Sequence, residues 1–152
     1  MTPVLESERL ILRGWQREDF PAYAAFCADA KRTLHTGGPK DAFQAWTAFS
    51  SMVGAWALNG YGMFAVQPKD ADAVAGFVGL WHPPAIDEPE LAWSLYEGFE
   101  GKGYAVEAAR RVQVWAAEDL KRLITNGLVE AGVTYASAGA FATPRRLCLA
   151  VD

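Results

Sequence analysis

Residues 90–109 read ELAWSLYEGFEGKGYAVEAA, and this stretch decides more about the chain than any other. Glu90–Leu95 (ELAWSL) reads as a core strand, Tyr96–Lys102 (YEGFEGK) as a glycine-rich loop, and Gly103–Leu120 as a long helix carrying Ala105, Ala108, Ala109 and Val112. A strand that turns through Gly98, Gly101 and Gly103 into a helix aims successive backbone N–H groups at one point ahead of the helix N-terminus. Such a point suits an anion, and a pyrophosphate in particular. Glycine is needed there because a Cβ would hold phosphate oxygens away from the backbone. Lys102 adds a positive charge. The same pattern also fits an ordinary strand-to-helix connection, so the loop alone leaves both readings open. It is not a Walker loop, because Lys102 is followed by Gly103. Nor is it a Rossmann fingerprint, because antiparallel-looking strands precede it and no acidic residue ends a following parallel strand.

Working outward, Arg9–Trp15 (RLILRGW) is expected to form a first strand with Leu10 and Leu12 on one face. Arg17–Ala28 sets Phe20, Tyr23, Ala24 and Cys27 on one helical stripe, and Pro21 fits its first turn. Pro39 opens a second helix to about Leu58, with Phe43, Trp46, Phe49, Val53 and Trp56 expected inward and Gly60 as a left-handed cap. Met63–Gln67 and Val74–Trp81 flank a polar turn and read as a hairpin. Arg122–Thr125 is expected to add a strand. Beyond it, Val133–Ala136 and Leu147–Val151 are further candidates, punctuated by Gly127, Gly132, Gly139 and Pro144. The order β-α-α-β-β-β-α-β defines an α+β (mixed α/β) domain.

The 152 residues fit a single domain, long enough to bury about two-thirds of its unfolded surface. Hydrophobic residues make up 51% and charged residues 21%, which argues against disorder. A net charge of −4 argues against nucleic acid as the main partner and is compatible with a cationic substrate. Cys27 and Cys148 lie among apolar residues with no Cys/His cluster, so buried free thiols are expected rather than a disulfide or a metal site. His35 and His82 are isolated. There is no signal-like start and no apolar run near ~18 residues, so the expectation is a cytoplasmic protein with no membrane partner.

Four segments together resemble the GNAT superfamily of acyl-CoA-dependent N-acyltransferases, in its RimJ/RimL-like branch: ERLILRGWQREDFPAYAAF (Glu8–Phe26), WALNGYGMFAVQ (Trp56–Gln67), AGFVGLW (Ala75–Trp81) and PELAWSLYEGFEGKGYAVEAARR (Pro89–Arg111). The resemblance runs in order over roughly residues 7–125. It implies a central, mostly antiparallel sheet flanked by helices, with acetyl-CoA as co-substrate and no metal. It implies that the backbone of Trp93, Ser94 and Leu95 pairs with the pantetheine arm, and that Gly101, Lys102, Gly103, Tyr104 and Ala105 hold the pyrophosphate. Gly103 and Ala105 match the family's loop, whereas Glu100 stands where the family has Arg or Gln. Direct attack of a neutral amine on a thioester needs a group to take its proton and a donor for the oxyanion. By resemblance Glu90 is the candidate base; the competing reading is a solvated carboxylate at a strand end. Trp56, Tyr61, Trp81 and Trp93 are either acceptor-pocket walls or ordinary core aromatics. Glu107 reads as a packing or capping partner.

The match stops after Thr125, so residues 126–152 form an atypical tail of the single domain. No Asn-x-x-Ser stretch follows, and nothing puts Tyr135 or Ser137 at the family's acid position. The tail is a divergent closure of the sheet, an incomplete end, or a segment that pairs with another subunit, a homodimer included. The function implied is acetyl transfer to a primary amine, either a protein N-terminus or a small amine. The alternatives are a catalytically inactive domain of this fold that binds acyl-CoA or a partner protein, and an unrelated nucleotide-binding module.

Overall fold

The structure, a computed structural model, describes residues 1–143 and 146–152. They fall into two compact units, residues 1–109 and 110–152. The sequence expectation at Pro144 lies outside the described residues.

The first unit is built on a five-stranded sheet of β1 (Leu5–Glu6), β2 (Leu10–Arg13), β3 (Met63–Pro68), β4 (Gly76–Trp81) and β5 (Glu90–Leu95), in that spatial order and antiparallel throughout. The β3–β4 hairpin forms as expected, with Phe64 opposite Val78. Alternation sorts the strand residues: Leu10 and Leu12 are fully buried, and β3 is buried on both faces through Phe64, Ala65 and Val66. β5 is the last strand of the sheet, so one backbone edge of it stays unpaired within that sheet.

A 3-10 turn at Arg17–Asp19 leads into α1 (Phe20–Ala28), with Pro21 in the first turn where its missing N–H costs nothing. Asp41 caps α2 (Ala42–Asn59) by accepting from Gln44 N at 2.8 Å, and Gly60 ends it at φ 75°. These two helices cover one sheet face: Tyr23, Phe26 and Cys27 of α1 and Ala45, Phe49 and Met52 of α2 form one cluster with Met63, Ala65 and Tyr96. The buried stripe of α2 is Ala45, Phe49, Met52 and Trp56. Phe43, Trp46 and Val53, expected inward, are exposed instead. α2 is apolar around most of its circumference, so periodicity does not select the face; the sheet does. Arg13 and Asp19 close a partly buried ion pair at 2.8 Å that ties β2 to the 3-10 turn.

α3 runs from Tyr104 to Glu130, longer than expected. Arg122–Thr125 is therefore helix and not strand, because Thr125 Oγ1 and the flanking residues satisfy helical carbonyls and no sheet partner is present for them among the described residues. In the second unit, β6 (Ala138–Thr143) and β7 (Arg146–Val151) form an antiparallel hairpin. The expected strand at Leu147–Val151 is present within β7, while Val133–Ala136 is irregular. Cys148 is exposed, against expectation, because it lies on a hairpin of two strands only; Cys27 is buried as expected. Among the described residues no helix is long and apolar enough to cross a membrane.

Candidate functional site

β5 and the loop after it carry the site. Its strand is registered against β4, with Ser94 opposite Phe77 and Glu90 opposite Trp81. Gly76 allows this close approach: a Cβ there would overlap the Ser94 carbonyl. At the strand's end Tyr96 N donates to Ala75 O at 2.8 Å, and the chain turns away through Phe99 N to Tyr96 O.

The loop then takes left-handed conformations at Gly101 (φ 74°) and Gly103 (φ 80°), which other residues adopt at a cost. A Cβ at Gly101 would meet no atom within 4 Å among the described residues, whereas one at Gly103 would lie 3.4 Å from Arg9 Nη2. Glu107 N donates to Gly103 O at 3.1 Å, the first bond of α3. The amides of Tyr104, Ala105 and Val106 ahead of it have no intrahelical acceptor, and the positive end of the helix lies there.

This loop is held from outside by β2's approach. Glu107 accepts from Ser7 Oγ at 2.7 Å, from Arg9 N at 2.8 Å and from Arg9 Nε at 2.7 Å. Arg9 Nη1 also donates to Lys102 O at 2.9 Å, and its guanidinium lies over the Tyr104 ring. Burial works to raise the Glu107 carboxyl, but the bonds from Ser7 and Arg9 outweigh it and hold the group below its ordinary value. Glu107 is thus the packing partner expected from the sequence, whereas the part played by Arg9 had no local signal.

A cavity of about 550 Å³ opens beside β5. Trp93, Ser94, Leu95 and Ala105 line it, together with Phe26, Arg32 and Glu100. Four of the sequence-expected residues therefore share one space. Gly101, Lys102, Gly103 and Tyr104 form the adjoining turn; Lys102 Nζ lies 5.4 Å from the Phe99 ring centre. Glu90 stands exposed at the opposite end of β5, outside the cavity lining. The aromatics divide: Trp56 is core, its indole donating to Met63 O at 3.0 Å, while Trp81 and Trp93 are exposed. Tyr61 hydroxyl and His82 Nδ1 pair at 2.6 Å with stacked rings, so His82 is not isolated. His35 is exposed in the α1–α2 connection.

The sequence matches the acetyltransferase (GNAT) domain over residues 9–138. The chain belongs to the GNAT acetyltransferase family. An acetyltransferase from Agrobacterium tumefaciens shares 34% identity with this GNAT chain at a TM-score of 0.72, covering 95% of it and 91% of its own length. The ribosomal-protein alpha-N-acetyltransferase RimL, solved in complex with coenzyme A, shares the GNAT fold at 14% identity and a TM-score of 0.59, over 95% of this chain and 90% of RimL. A likeness of another kind is to the glycine–tRNA ligase beta subunit of Cereibacter sphaeroides, 63% identical over 49 residues, which make up 32% of this chain and 7% of that protein. The chain thus spans only a small fraction of that curated relative.

The family's acyl donor can be tested against the residues present. A β5 edge that pairs with no other described strand, a cavity beside it and a glycine turn at the start of α3 suit an extended arm that ends in a diphosphate. The fit is good at the backbone. It is unusual in charge, because the lining carries Asp29, Glu97 and Glu100 against Lys31 and Arg32.

Proposed function

We propose that this GNAT domain transfers an acetyl group from acetyl-CoA to a primary amine, on a protein N-terminus or a small molecule. The observation that carries the reading is the continuity of the unpaired β5 edge, the cavity along Trp93–Leu95, and the turn at Gly101–Gly103 ahead of α3. RimL, which is an alpha-N-protein acetyltransferase and binds coenzyme A, supports it from the side of fold.

In this reading the backbone of Trp93, Ser94 and Leu95 pairs with the pantetheine arm as an added strand would. The amides of Gly101–Ala105 receive the diphosphate, with the dipole of α3 behind them. Acetyl-CoA supplies a thioester carbonyl to be attacked. Glu90, at the solvent-open start of β5, takes the proton that the attacking amine sheds, directly or through one water. A backbone N–H near Trp93 or Ser94 donates to the oxygen that gains charge, which is where a fixed donor helps most. The carbon–sulfur bond then breaks, the sulfur leaves as a thiolate that takes a proton from solvent, and the products are the amide and the CoA thiol. Little else is asked of side chains, because a neutral amine is already a competent nucleophile.

The test is release of CoA thiol from acetyl-CoA across a panel of peptide N-termini and small amines. Turnover above background is expected with at least one of them, and none with any would sink the reading in favour of a binding-only domain. Glu90→Gln should lower turnover by about 10²-fold, the low end for a general base, and leave CoA binding nearly intact. An unchanged pH–rate profile in that variant would remove Glu90 from the chemistry.

A further inference from the structure

The cavity beside β5 contains a charge arrangement that the transfer chemistry does not use. Arg32 enters it from the connection between α1 and α2. Its Nη1 meets Glu100 Oε1 in a close ion pair and lies 3.5 Å from Leu95 O. Its Nε is 3.3 Å from Asp29 Oδ2, and Asp29 Oδ1 in turn accepts from Lys31 N at 2.8 Å and Arg32 N at 3.2 Å. Asp29 thus fixes the backbone that carries Arg32, and the guanidinium reaches from there to the end of β5 and the start of the glycine turn. Arg32 and Glu100 lie 68 residues apart, so no local pattern joins them.

Glu100 sits one residue before the Gly101–Gly103 turn. An isolated carboxylate there would repel any anion bound by the turn. Paired to Arg32 it does something else: it holds a guanidinium at the residue that directly precedes the turn. We infer that Arg32 supplies the phosphate-facing cation of this groove, and that Glu100 competes with the ligand's diphosphate for it; the inference rests on the acyl-CoA reading of the groove. A guanidinium fork matches a phosphate as well as it matches a carboxylate, and a diphosphate offers more charge. The pair is partly exposed, with side-chain exposures of 21% for Arg32 and 48% for Glu100, so exchanging one anion for another is cheap. Glu100 thereby sets affinity: it keeps the groove closed to weak anions and yields to a ligand that also fills the cavity along β5.

The sign of the two substitutions separates this from a structural clip. Coenzyme A and pantetheine, which lacks the diphosphate, are titrated calorimetrically into the wild type, Arg32→Ala, Glu100→Gln and the double variant. Melting temperatures establish that each is folded. Coenzyme A binding should tighten about tenfold in Glu100→Gln and weaken about tenfold in Arg32→Ala, the scale of one charge-assisted hydrogen bond. Glu100→Gln should tighten coenzyme A binding less in the Arg32→Ala background, where it relieves only repulsion, than in the wild type, and pantetheine should bind all four proteins alike. Weaker binding in both single variants would overturn the inference, since a clip loses from either side. So would a gain from Glu100→Gln that is undiminished without Arg32, which would mean simple repulsion. Binding of coenzyme A by the wild type with no change in any variant would overturn the inference and leave the acyl-CoA reading standing. Failure of all four proteins to bind either probe would overturn both.

Discussion

Residues 1–109 and residues 110–152 bury their apolar side chains to different extents. In the first unit Leu10, Leu12, Phe64, Val66 and Val78 are wholly buried between strands and helices. In the second, Val112, Ala116 and Ala117 are buried near the start of the segment, but Leu123, Ile124, Val129, Val133 and Phe141 are exposed, Phe141 at 61%. The first unit has a five-stranded sheet and two helices to close a core; the second has one helix segment and a two-stranded hairpin, which is marginal alone. The lesson is that the unit with the closed core places the groove without the groove being part of that core. Every residue lining the cavity belongs to residues 26–105, and of these only Phe26 lies in the buried cluster.

The sharpest way to break this contrast is to truncate one aromatic in each unit. Phe64→Ala removes a fully buried ring that packs edge-on against Trp56 at 4.7 Å, and should cost about 3–5 kcal/mol of unfolding free energy. Phe141→Ala should cost no more than about 0.5 kcal/mol. Urea denaturation of the two variants reads the difference. Comparable losses would mean that the hairpin carries stability its exposure does not suggest.

The same contrast explains what was legible in the sequence. Leu10 and Leu12, the hairpin of β3 and β4, and the strand–loop–helix run from Glu90 announce themselves by alternation and by glycine placement, because their burial pattern is local. The buried face of α2 is not local. Phe43, Trp46 and Val53 compete with Ala45, Met52 and Trp56 on an apolar helix, and only the sheet decides. Arg122–Thr125 looks strand-like through its Leu, Ile and Thr, yet α3 continues through it, propagation costing far less than a new nucleus. Of the site, the backbone elements were readable and the charges were not: Arg9 with Glu107 and Arg32 with Glu100 are joined across 98 and 68 residues. The one signal available was Glu100, an acid where an anion is expected to bind.

A smaller effect separates packing from electrostatics within the first unit. Glu107 anchors the glycine turn through Ser7 and Arg9, and its carboxyl is held below the ordinary value in the folded chain. A group so lowered stabilises the fold in full above the unfolded carboxylate range, and that contribution disappears as pH falls through the lowered value. Glu107→Gln should therefore cost about 1–2 kcal/mol near neutrality, less than a fully buried pair because Arg9 is 47% exposed. The gap in melting temperature between variant and wild type should narrow in acid. A gap that stays constant with pH would assign the loss to packing.

One further expected change runs the other way. Tyr96 is 6% exposed and its ring lies among Phe26, Phe77 and Tyr23, directly after the strand that carries the site. Its hydroxyl is buried without a hydrogen-bond partner among the described residues. Burial pushes that phenol well above the ordinary tyrosine range, so it stays protonated and does not titrate against its neighbours. A buried hydroxyl with nothing to bond loses its water and gains no partner in return. Tyr96→Phe keeps the ring contacts and removes the unpaired oxygen, so it should raise stability by about 1 kcal/mol with the groove unchanged. A drop in stability would mean that the hydroxyl is bonded in solution, with a water bridging toward Tyr23. In that case the core beneath β5 would be polar at its centre, and the packing that distinguishes residues 1–109 from the hairpin would depend on that water as well as on apolar burial.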